Sequence, residues 1–486
     1  MNNLSNTYKS LFKPWPGLPL ILLLGLLVRM VFLLWGAELY FNRPSIFIDS
    51  DTGGWQRGFE NLINLGVYTN NPAHELGFFA RLPGYSLFMG FFWFLAGKDW
   101  QQAYVLIAWF QSLLDVVSIY LVFKITRKIF NERVALWSAA LYALYPFIIV
   151  WNPVAYSESL SVFLMLAGFW FYISAGDNRW KYLLAGALLG LGVLMRPQVL
   201  IFSGVLGLGL LVKFRLSRAF LTRALFFGLG LLITYGPWPA RNFLKYDSLV
   251  LTQDLRGLGR NWSPDAIAFM QYTFSVKSEW EPQFSSIIKN KPTTWPKQAY
   301  ISTEDSLLLE RAVWLSKHCG EGFSYWRGYW KEPVNPDEAC TGEIAEIFNY
   351  LRERQIRENP WNFYVRVPLQ NLRKAVFKTT LIYEPVTQLA RQLSTYLFLY
   401  RTLMIFLGLA GVIFLIRERN VYGFIFLAYF AFLYLLLSAG TSVQMRNIEI
   451  RYFLHADVLL LIPAGYALQW IVEWFRKKPW QRTNPY

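Results

Sequence analysis

Long runs of apolar residues dominate this sequence and restrict the folds that it can adopt. A helix needs roughly 20 apolar residues to cross the hydrocarbon core of a bilayer. Ten runs predict membrane-spanning helices, at 17–36, 102–123, 134–151, 156–174, 182–195, 198–212, 224–240, 396–416, 421–440 and 454–474. Two of them, 182–195 and 198–212, are short, and we expect them to be tilted, kinked at Pro197 or partly re-entrant.

The composition agrees with a membrane protein and excludes other classes. Only 16% of the 486 residues are charged, whereas 55% are hydrophobic and 18% are aromatic. A soluble domain carries about a quarter of charged residues, and a disordered chain needs low hydrophobicity. The sequence therefore predicts an all-α polytopic membrane protein with about ten transmembrane helices.

The distribution of basic residues predicts how the spans are oriented. With a cytoplasmic N-terminus, the segments on the inner side carry nearly all of the net charge of +16, as the positive-inside rule requires. The charge is thus explained by topology, and no nucleic-acid partner is implied. A further apolar stretch, 84–97, has only about 14 residues and favours an interfacial or re-entrant helix over a crossing.

This orientation leaves two long segments outside and predicts three regions. A transmembrane module, 1–240, includes the first outer loop, 37–101. A mostly helical outer domain, 241–395, follows, with helix-like stretches broken at Pro360 and Pro368, and 396–486 holds the closing spans.

The only two cysteines, Cys319 and Cys340, lie in the outer domain. A pair on the oxidising side predicts one disulfide, and the alternative is two buried thiols. With two cysteines and three histidines in the chain, we expect no structural zinc site.

Two aspartates, Asp49 and Asp51, follow the first span in the stretch FIDSDTGGW. Carboxylates two residues apart suit a cation site, or one of them suits a general base. The alternative is a solvated loop that turns at Gly53 and Gly54. Arg81 precedes the short apolar stretch and suits an anionic headgroup, or it simply extends to the membrane interface.

Other ionisable residues gather near the outer ends of the spans. The predicted substrate-binding residues are Arg57, Arg81, Tyr85, Glu158, Arg196, Arg446, Arg451 and His455. Two arginines and a histidine in the turn before the last span suit a phosphate.

Three polar residues lie deeper in the membrane. We expect Arg29 to form a buried structural ion pair. Gln111 and Asp115 share one helix face, and hydrogen bonding between helices is at least as reasonable for them as chemistry.

These residues resemble the motifs of the integral-membrane GT-C glycosyltransferases, in particular the transferases related to protein O-mannosyltransferases and to the aminoarabinose transferases of lipid A. The similar motifs are the acidic residue and aromatic of DTGGW (51–55), RLPGYSLF (81–88), QSLL (111–114), LYALYP (141–146), SES (157–159), LLGLGVLMRP (188–197) and RENPWNFYVRVPLQNLRKAVF (357–377). The similarity covers the first 240 residues well and the outer domain poorly.

The resemblance implies a reaction and assigns roles. The donor would be a sugar on a polyprenyl phosphate, and the acceptor a lipid, glycan or protein hydroxyl. The outer-loop aspartate would act as the base in an inverting displacement, with Asp51 the better match and Asp49 the second. The family often has Asp-Glu where this chain has Asp-Ser-Asp, so the choice between them stays open. Arg81 occupies the position of the phosphate-facing basic residue.

The physical chemistry is compatible with these roles. A phosphate leaving group needs positive charge where negative charge develops, and arginines provide it. The enzyme is expected in the plasma (inner) membrane, among membrane lipids, with its active site facing outward. No cofactor is expected, although a divalent cation is possible.

Two other functions remain open. One is a transporter or flippase of a lipid-linked or anionic substrate, and the other is a scaffold without catalysis. Ionisable residues near the outer face favour transfer chemistry over transport, while Arg29 and Asp115 do not follow this trend.

Overall fold

The structure is a computed structural model that describes residues 17–258, 262–330, 337–377, 388–440 and 449–477. Within these ranges the regular elements are all helices. The helices of the membrane part are α1 (Leu18–Phe41), α2 (Thr52–Leu65), α3 (Pro83–Leu95), α4 (Trp100–Ile129), α5 (Glu132–Ala143), α6 (Glu158–Ser174), α7 (Arg179–Met195), α8 (Gln198–Phe214), α9 (Arg218–Tyr235) and α10 (Pro237–Tyr246).

The remaining helices form the outer domain and the closing part of the bundle. They are α11 (Pro264–Val276), α12 (Glu281–Ile288), α13 (Thr303–His318), α14 (Glu321–Trp330), α15 (Glu338–Glu358), α16 (Val367–Val376), α17 (Gln388–Arg417), α18 (Val421–Ala439) and α19 (Ile450–Lys477). The prediction of an all-α polytopic membrane protein is confirmed.

Each of the ten predicted spans overlaps a helix, and six of these helices are long and apolar enough to cross a membrane. These six are α1, α4, α9, α17, α18 and α19. The other four, α5 to α8, have only 12 to 17 residues. The total of about ten crossings therefore stays a prediction. The predicted interfacial stretch forms α3, a helix of 13 residues.

Prolines determine where several helices end. The predicted span 134–151 is wrong as a single helix, because α5 stops at Ala143 and Tyr145 is extended before Pro146. A residue that precedes proline is disfavoured in the helical region. In the same way α7 and α8 are separated at Arg196 and Pro197.

The prolines of the outer domain have different effects. The predicted break at Pro360 agrees with the end of α15 at Glu358. The predicted break at Pro368 is wrong, because the chain is helical on both sides of that proline, from the preceding π-helical turn into α16. A π-helical turn, Asn362–Arg366, leads directly into α16.

Close packing of α7 against α9 depends on two glycines. A Cβ atom at Gly186 would lie 2.0 Å from the carbonyl oxygen of Phe227, and one at Gly230 would lie 2.0 Å from that of Leu183. Small residues let helix backbones approach in a membrane, where packing rather than the hydrophobic effect drives association. These glycines therefore fix the separation of the two helices.

The outer domain has its own hydrophobic core, which is formed mainly by α11, α13 and α15 around Phe269, Phe323 and Phe348. The predicted disulfide is confirmed, since Cys319 and Cys340 are bonded with their Cα atoms 6.2 Å apart. The predicted domain boundaries stay predictions.

The first outer loop packs against the beginning of the outer domain. The Asp254 amide donates to the Phe79 carbonyl at 2.8 Å, and Arg241 donates to the carbonyls of Tyr68 and Phe78. The Leu258 side chain contacts the first turn of α2, since its Cδ2 atom would lie 3.6 Å from a Cβ atom at Gly54. The two predicted outer segments thus meet at one end of the bundle.

We expect Gly186→Ala to lower the free energy of unfolding by about 1–3 kcal/mol, because the added methyl group forces α7 and α9 apart. Thermal unfolding of the purified protein measures this. The control is Gly204→Ala in α8, where a Cβ would meet no atom within 4 Å. Equal melting temperatures for the two variants would contradict the assigned packing.

The double variant Cys319→Ser/Cys340→Ser should lose about 3 kcal/mol of stability in the outer domain, because the bridge closes a loop across 21 positions. Thermal unfolding with and without a reductant tests this. The reductant should destabilise the natural protein and leave the double variant unchanged, and a shift in both would exclude the bridge as the cause.

Candidate active site

The centre of the site is the carboxylate of Asp51, which lies between two guanidinium groups. One oxygen accepts a hydrogen bond from Arg81 at 2.5 Å, and the other accepts one from Arg451 at 2.5 Å. The Asp51 side chain is 20% exposed, and the two arginine side chains are 9% and 10% exposed. The cluster is therefore mostly enclosed, and the carboxylate keeps part of its surface accessible.

The backbone around Asp51 is held by short-range contacts. Asp51 is the residue that precedes the first turn of α2, and its amide donates to the Tyr156 hydroxyl at 3.2 Å. Thr52 is buried, accepts from the Asp49 amide and donates to the Ala155 carbonyl. The loop before α6 thus fixes the position of the carboxylate.

Glycines make room for Arg81. A Cβ at Gly54 would lie 3.3 Å from the Arg81 Nε atom, and one at Gly84 would lie 2.7 Å from the Leu194 carbonyl oxygen. The first contact lets the guanidinium lie beside the first turn of α2, and the second lets α3 begin against the end of α7. The Arg81 guanidinium also lies 4.8 Å from the centre of the Trp55 ring.

Arg451 enters the site from the first turn of α19. Its guanidinium lies 5.3 Å from the Tyr156 ring centre and 5.2 Å from that of Tyr452. It also forms an ion pair with Glu449 at 2.6 Å. Aromatic faces favour a cation over them, so the two tyrosines orient the arginine toward Asp51.

The charges determine the protonation state of Asp51. Burial raises the pKa of its carboxyl, but the positive charges of Arg451 and Arg81 outweigh burial and hold the pKa well below its ordinary value. Asp51 is therefore ionised at neutral pH and, while both arginines contact it, is a weak base.

Asp49 has a different environment. Its carboxylate pairs with Arg43 at 2.5 Å and accepts from the Ser50 amide at 2.6 Å. These contacts tie Asp49 to its own loop. Asp51, and not Asp49, is the aspartate that bridges Arg81 and Arg451.

A second polar layer lies behind Arg451. Arg196 pairs with Glu158 and donates to the Ser157 hydroxyl at 3.0 Å. Its guanidinium lies 5.7 Å from the Tyr452 ring centre. The His455 Nε2 atom lies 2.9 Å from the Ser161 hydroxyl. Three predicted substrate-binding residues, Glu158, Arg196 and His455, are thus brought beside Arg451.

The other predicted residues lie apart from this cluster. Arg57 is exposed and donates to the Gly53 carbonyl of its own helix. Tyr85 is fully buried and donates to Gln111 at 2.9 Å. Its ring contacts Trp55, the residue that lies against Arg81, so Tyr85 packs beneath the site and does not line it. Arg446 lies outside the described residues.

Tyr156 is a site residue that the sequence did not predict, although Tyr156 directly precedes the SES motif. The sequence also did not predict a second buried ion pair, Arg401 with Asp457 at 2.7 Å, in which Asp457 further accepts from Tyr434. The separation of 56 positions between its partners leaves no local pattern to find.

The predicted buried pair of Arg29 is confirmed, with Asp115 as its partner at 2.7 Å. Asp115 also accepts from Tyr142 at 2.5 Å and from Asn152 at 3.0 Å. Both charged side chains have no exposed surface. The pair is enclosed and joins α1 to α4.

No cluster of three or more histidine, cysteine, aspartate or glutamate side chains suited to a metal ion is found in the described ranges.

Comparisons with known proteins relate this geometry to a known architecture. Residues 81–238 match the family model described as dolichyl-phosphate-mannose-protein mannosyltransferase. No curated protein matches the chain significantly.

Solved structures give a match over nearly the full chain. The oligosaccharyltransferase of Archaeoglobus fulgidus, tethered to an acceptor peptide, aligns with a TM-score of 0.52 at 13% identity, covering 96% of this chain and 51% of that one. The chain has the GT-C fold. The predicted resemblance to GT-C transferases is thereby confirmed. This chain spans about half the length of that oligosaccharyltransferase.

Two other structures are similar to a lower degree. The same archaeal protein, AglB, in complex with an inhibitory peptide and a dolichol-phosphate, gives a TM-score of 0.50 at 13% identity over 94% of this chain and 51% of that one. ArnT from Cupriavidus metallidurans bound to undecaprenyl phosphate gives only 0.38 at 14% identity, covering 92% and 77%, which is too low to define the fold.

We expect Arg29→Met to destabilise the protein by about 3–5 kcal/mol, because it leaves the Asp115 carboxylate buried and unpaired. The double variant Arg29→Met/Asp115→Leu should recover most of that loss, since no unpaired charge remains. Thermal unfolding of both variants checks this. A double variant as unstable as the single one would contradict the ion pair as the cause.

Proposed function

We propose that this protein is a glycosyltransferase that moves a sugar from a polyprenyl phosphate to an acceptor hydroxyl. The observation that carries the proposal is the Asp51 carboxylate held between Arg81 and Arg451 at the end of the bundle where the outer segments meet. The match of residues 81–238 to a mannosyltransferase family model supports it. So does the fold shared with an oligosaccharyltransferase that has been solved with dolichol-phosphate.

The two arginines are proposed to bind the donor phosphate. A guanidinium presents a planar set of donors that matches a phosphate group, and it stays charged at any physiological pH. The Arg81 Nε atom is buried and has no hydrogen-bond partner within the part of the chain that is described. It is therefore one donor that a ligand oxygen can use without breaking an existing bond.

Asp51 is proposed to be the general base. The acceptor oxygen attacks the anomeric carbon of the sugar as the bond from that carbon to the phosphate oxygen breaks. The bonding electrons leave with the polyprenyl phosphate, and the acceptor proton passes to Asp51. Attack opposite the leaving group inverts the anomeric centre. Arg81 and Arg451 stabilise the charge that develops on the phosphate.

Donor binding should also activate the base. The phosphate and the Asp51 carboxylate compete for the same guanidinium groups, which hold the pKa of Asp51 low. When the phosphate draws an arginine away, the pKa of Asp51 rises and the carboxylate becomes a better proton acceptor. The base is thus weak until the donor is in place.

The remaining predicted residues are proposed to position this centre. Arg196 lies against Tyr452, whose ring also lies beside Arg451. Glu158 balances the charge of Arg196 in a fully buried location. The acceptor would approach from the extracytoplasmic side of the plasma (inner) membrane, over the exposed side of Asp51. A lipid, a glycan and a protein hydroxyl all satisfy this chemistry.

The alternative of transport is less well supported. A transporter places functional charges near the membrane midplane, where they must change partners. The deep pairs Arg29–Asp115 and Arg401–Asp457 are enclosed and hold further hydrogen bonds from neighbouring side chains. Such closed networks suit a structural role.

The variant Asp51→Asn should reduce the release of polyprenyl phosphate from radiolabelled polyprenyl-phosphate sugars by about 10²–10⁴-fold, because it removes the base. The same variant should bind polyprenyl phosphate more tightly than the natural protein, since the two arginines lose their competing carboxylate. Binding is measured by titration of the purified protein in detergent, and release by thin-layer separation of the labelled products.

The matched control is Asp49→Asn, which removes an aspartate of the same loop that pairs with Arg43 instead. It should keep most of the activity and bind polyprenyl phosphate as the natural protein does. Full activity in Asp51→Asn, or loss of activity in Asp49→Asn alone, would show that the base is assigned wrongly.

A further inference from the structure

A cavity of about 240 Å³ lies at the end of the bundle opposite to Asp51. Its walls come from the last turns of α4, α6 and α8 and the first turns of α7 and α18. Helix α6 starts at Glu158, in the active-site region, and ends at Ser174 in the cavity wall. Its 17 residues separate the two places by roughly 25 Å. The positive-inside rule places this end in the cytosol.

Two lysines line the cavity, Lys128 from α4 and Lys213 from α8. Within the described ranges no carboxylate forms an ion pair with either ammonium group. The loops at this end carry three acidic residues, Glu132, Asp177 and Glu418. Asp177 is paired with Arg223 at 2.5 Å. The cavity therefore carries positive charge that the neighbouring side chains leave unbalanced.

The rest of the lining is amphipathic. The Tyr182 hydroxyl donates to the Gly176 carbonyl at 3.4 Å. Phe214, Val421 and the Tyr422 ring supply apolar surface beside it. Free phosphate would use only the lysines, whereas a lipid headgroup with its glycerol would cover both the charged and the apolar parts.

We propose that this cavity binds the phosphate headgroup of an anionic membrane phospholipid at the cytosolic interface. Basic pockets between transmembrane helices on the cytosolic side suit such headgroups. Lys128 and Lys213 contact the phosphate from two different helices, while Phe214 and Tyr422 contact the glycerol and the first carbons of the chains. The bound lipid holds together α4, α8 and α18. The site is separate from the proposed transfer reaction and does not depend on it.

The test compares lipid binding to the purified full chain in neutral detergent. Short-chain phosphatidylglycerol, phosphatidylcholine and inorganic phosphate are titrated separately, with bound lipid counted by native mass spectrometry and stability followed by thermal unfolding. The variant Lys128→Gln/Lys213→Gln should weaken phosphatidylglycerol binding on the order of tenfold. A lipid bound at Asp51 is unaffected by these substitutions, so the two sites are distinguished.

The control is Arg133→Gln/Arg218→Gln, which removes the same charge from exposed positions outside the cavity wall. It should bind phosphatidylglycerol as the natural protein does. If both variants lost the same amount of phosphatidylglycerol binding, the whole basic surface would attract the lipid, and the proposed site would be overturned. If inorganic phosphate raised the melting temperature as much as phosphatidylglycerol does, the lipid assignment would be overturned. Binding of phosphatidylcholine equal to that of phosphatidylglycerol would overturn it as well.

Discussion

The carboxylate of Asp51 and its two guanidinium partners organise one end of the helix bundle. The two arginines lie 30 and 400 positions away along the chain. A mostly buried carboxylate is costly unless it is paired, so the first outer loop must meet both the beginning of α3 and the beginning of the last span. That single requirement brings the first outer loop and the start of α19 together around one polar centre. The tyrosines and glycines nearby give the arginines their positions.

Buried carboxylates inside the bundle are also paired with arginines, but there the pairs are closed to a ligand. Arg29 with Asp115, and Arg401 with Asp457, are almost wholly removed from the surface, and further hydrogen bonds complete their coordination. Neither pair keeps more than 1% of its side-chain surface exposed, so no ligand can reach it. Around Asp51, by contrast, the carboxylate keeps 20% of its surface exposed and an Arg81 donor is unused among the described residues. Exposure, and not the presence of charge, separates the proposed reactive cluster from the structural pairs.

The two ends of the bundle place positive charge in different settings. At the end that holds Asp51, arginines are paired with carboxylates, so an anion must compete for them. In the proposed mechanism, that competition links donor binding to the basicity of Asp51. At the opposite end, lysines line a cavity without carboxylate partners in the described ranges, so an anion can bind there without displacing a protein group. The proposed reaction needs the first arrangement, because a base and a phosphate site must share the same charges.

The resemblance to GT-C motifs indicated Arg81 and left Asp49 and Asp51 open. The sequence by itself determined the membrane class, the approximate positions of the apolar helices and the disulfide. These follow from local composition and spacing. The tertiary structure alone decided that Asp51 rather than Asp49 bridges the arginines, that Tyr156 lies beside Arg451, that Tyr85 is buried below the site, and that Arg401 pairs with Asp457. Such choices depend on contacts between residues far apart in the chain, because the pairing of a buried charge is set by which helices pack together and not by its sequence neighbours.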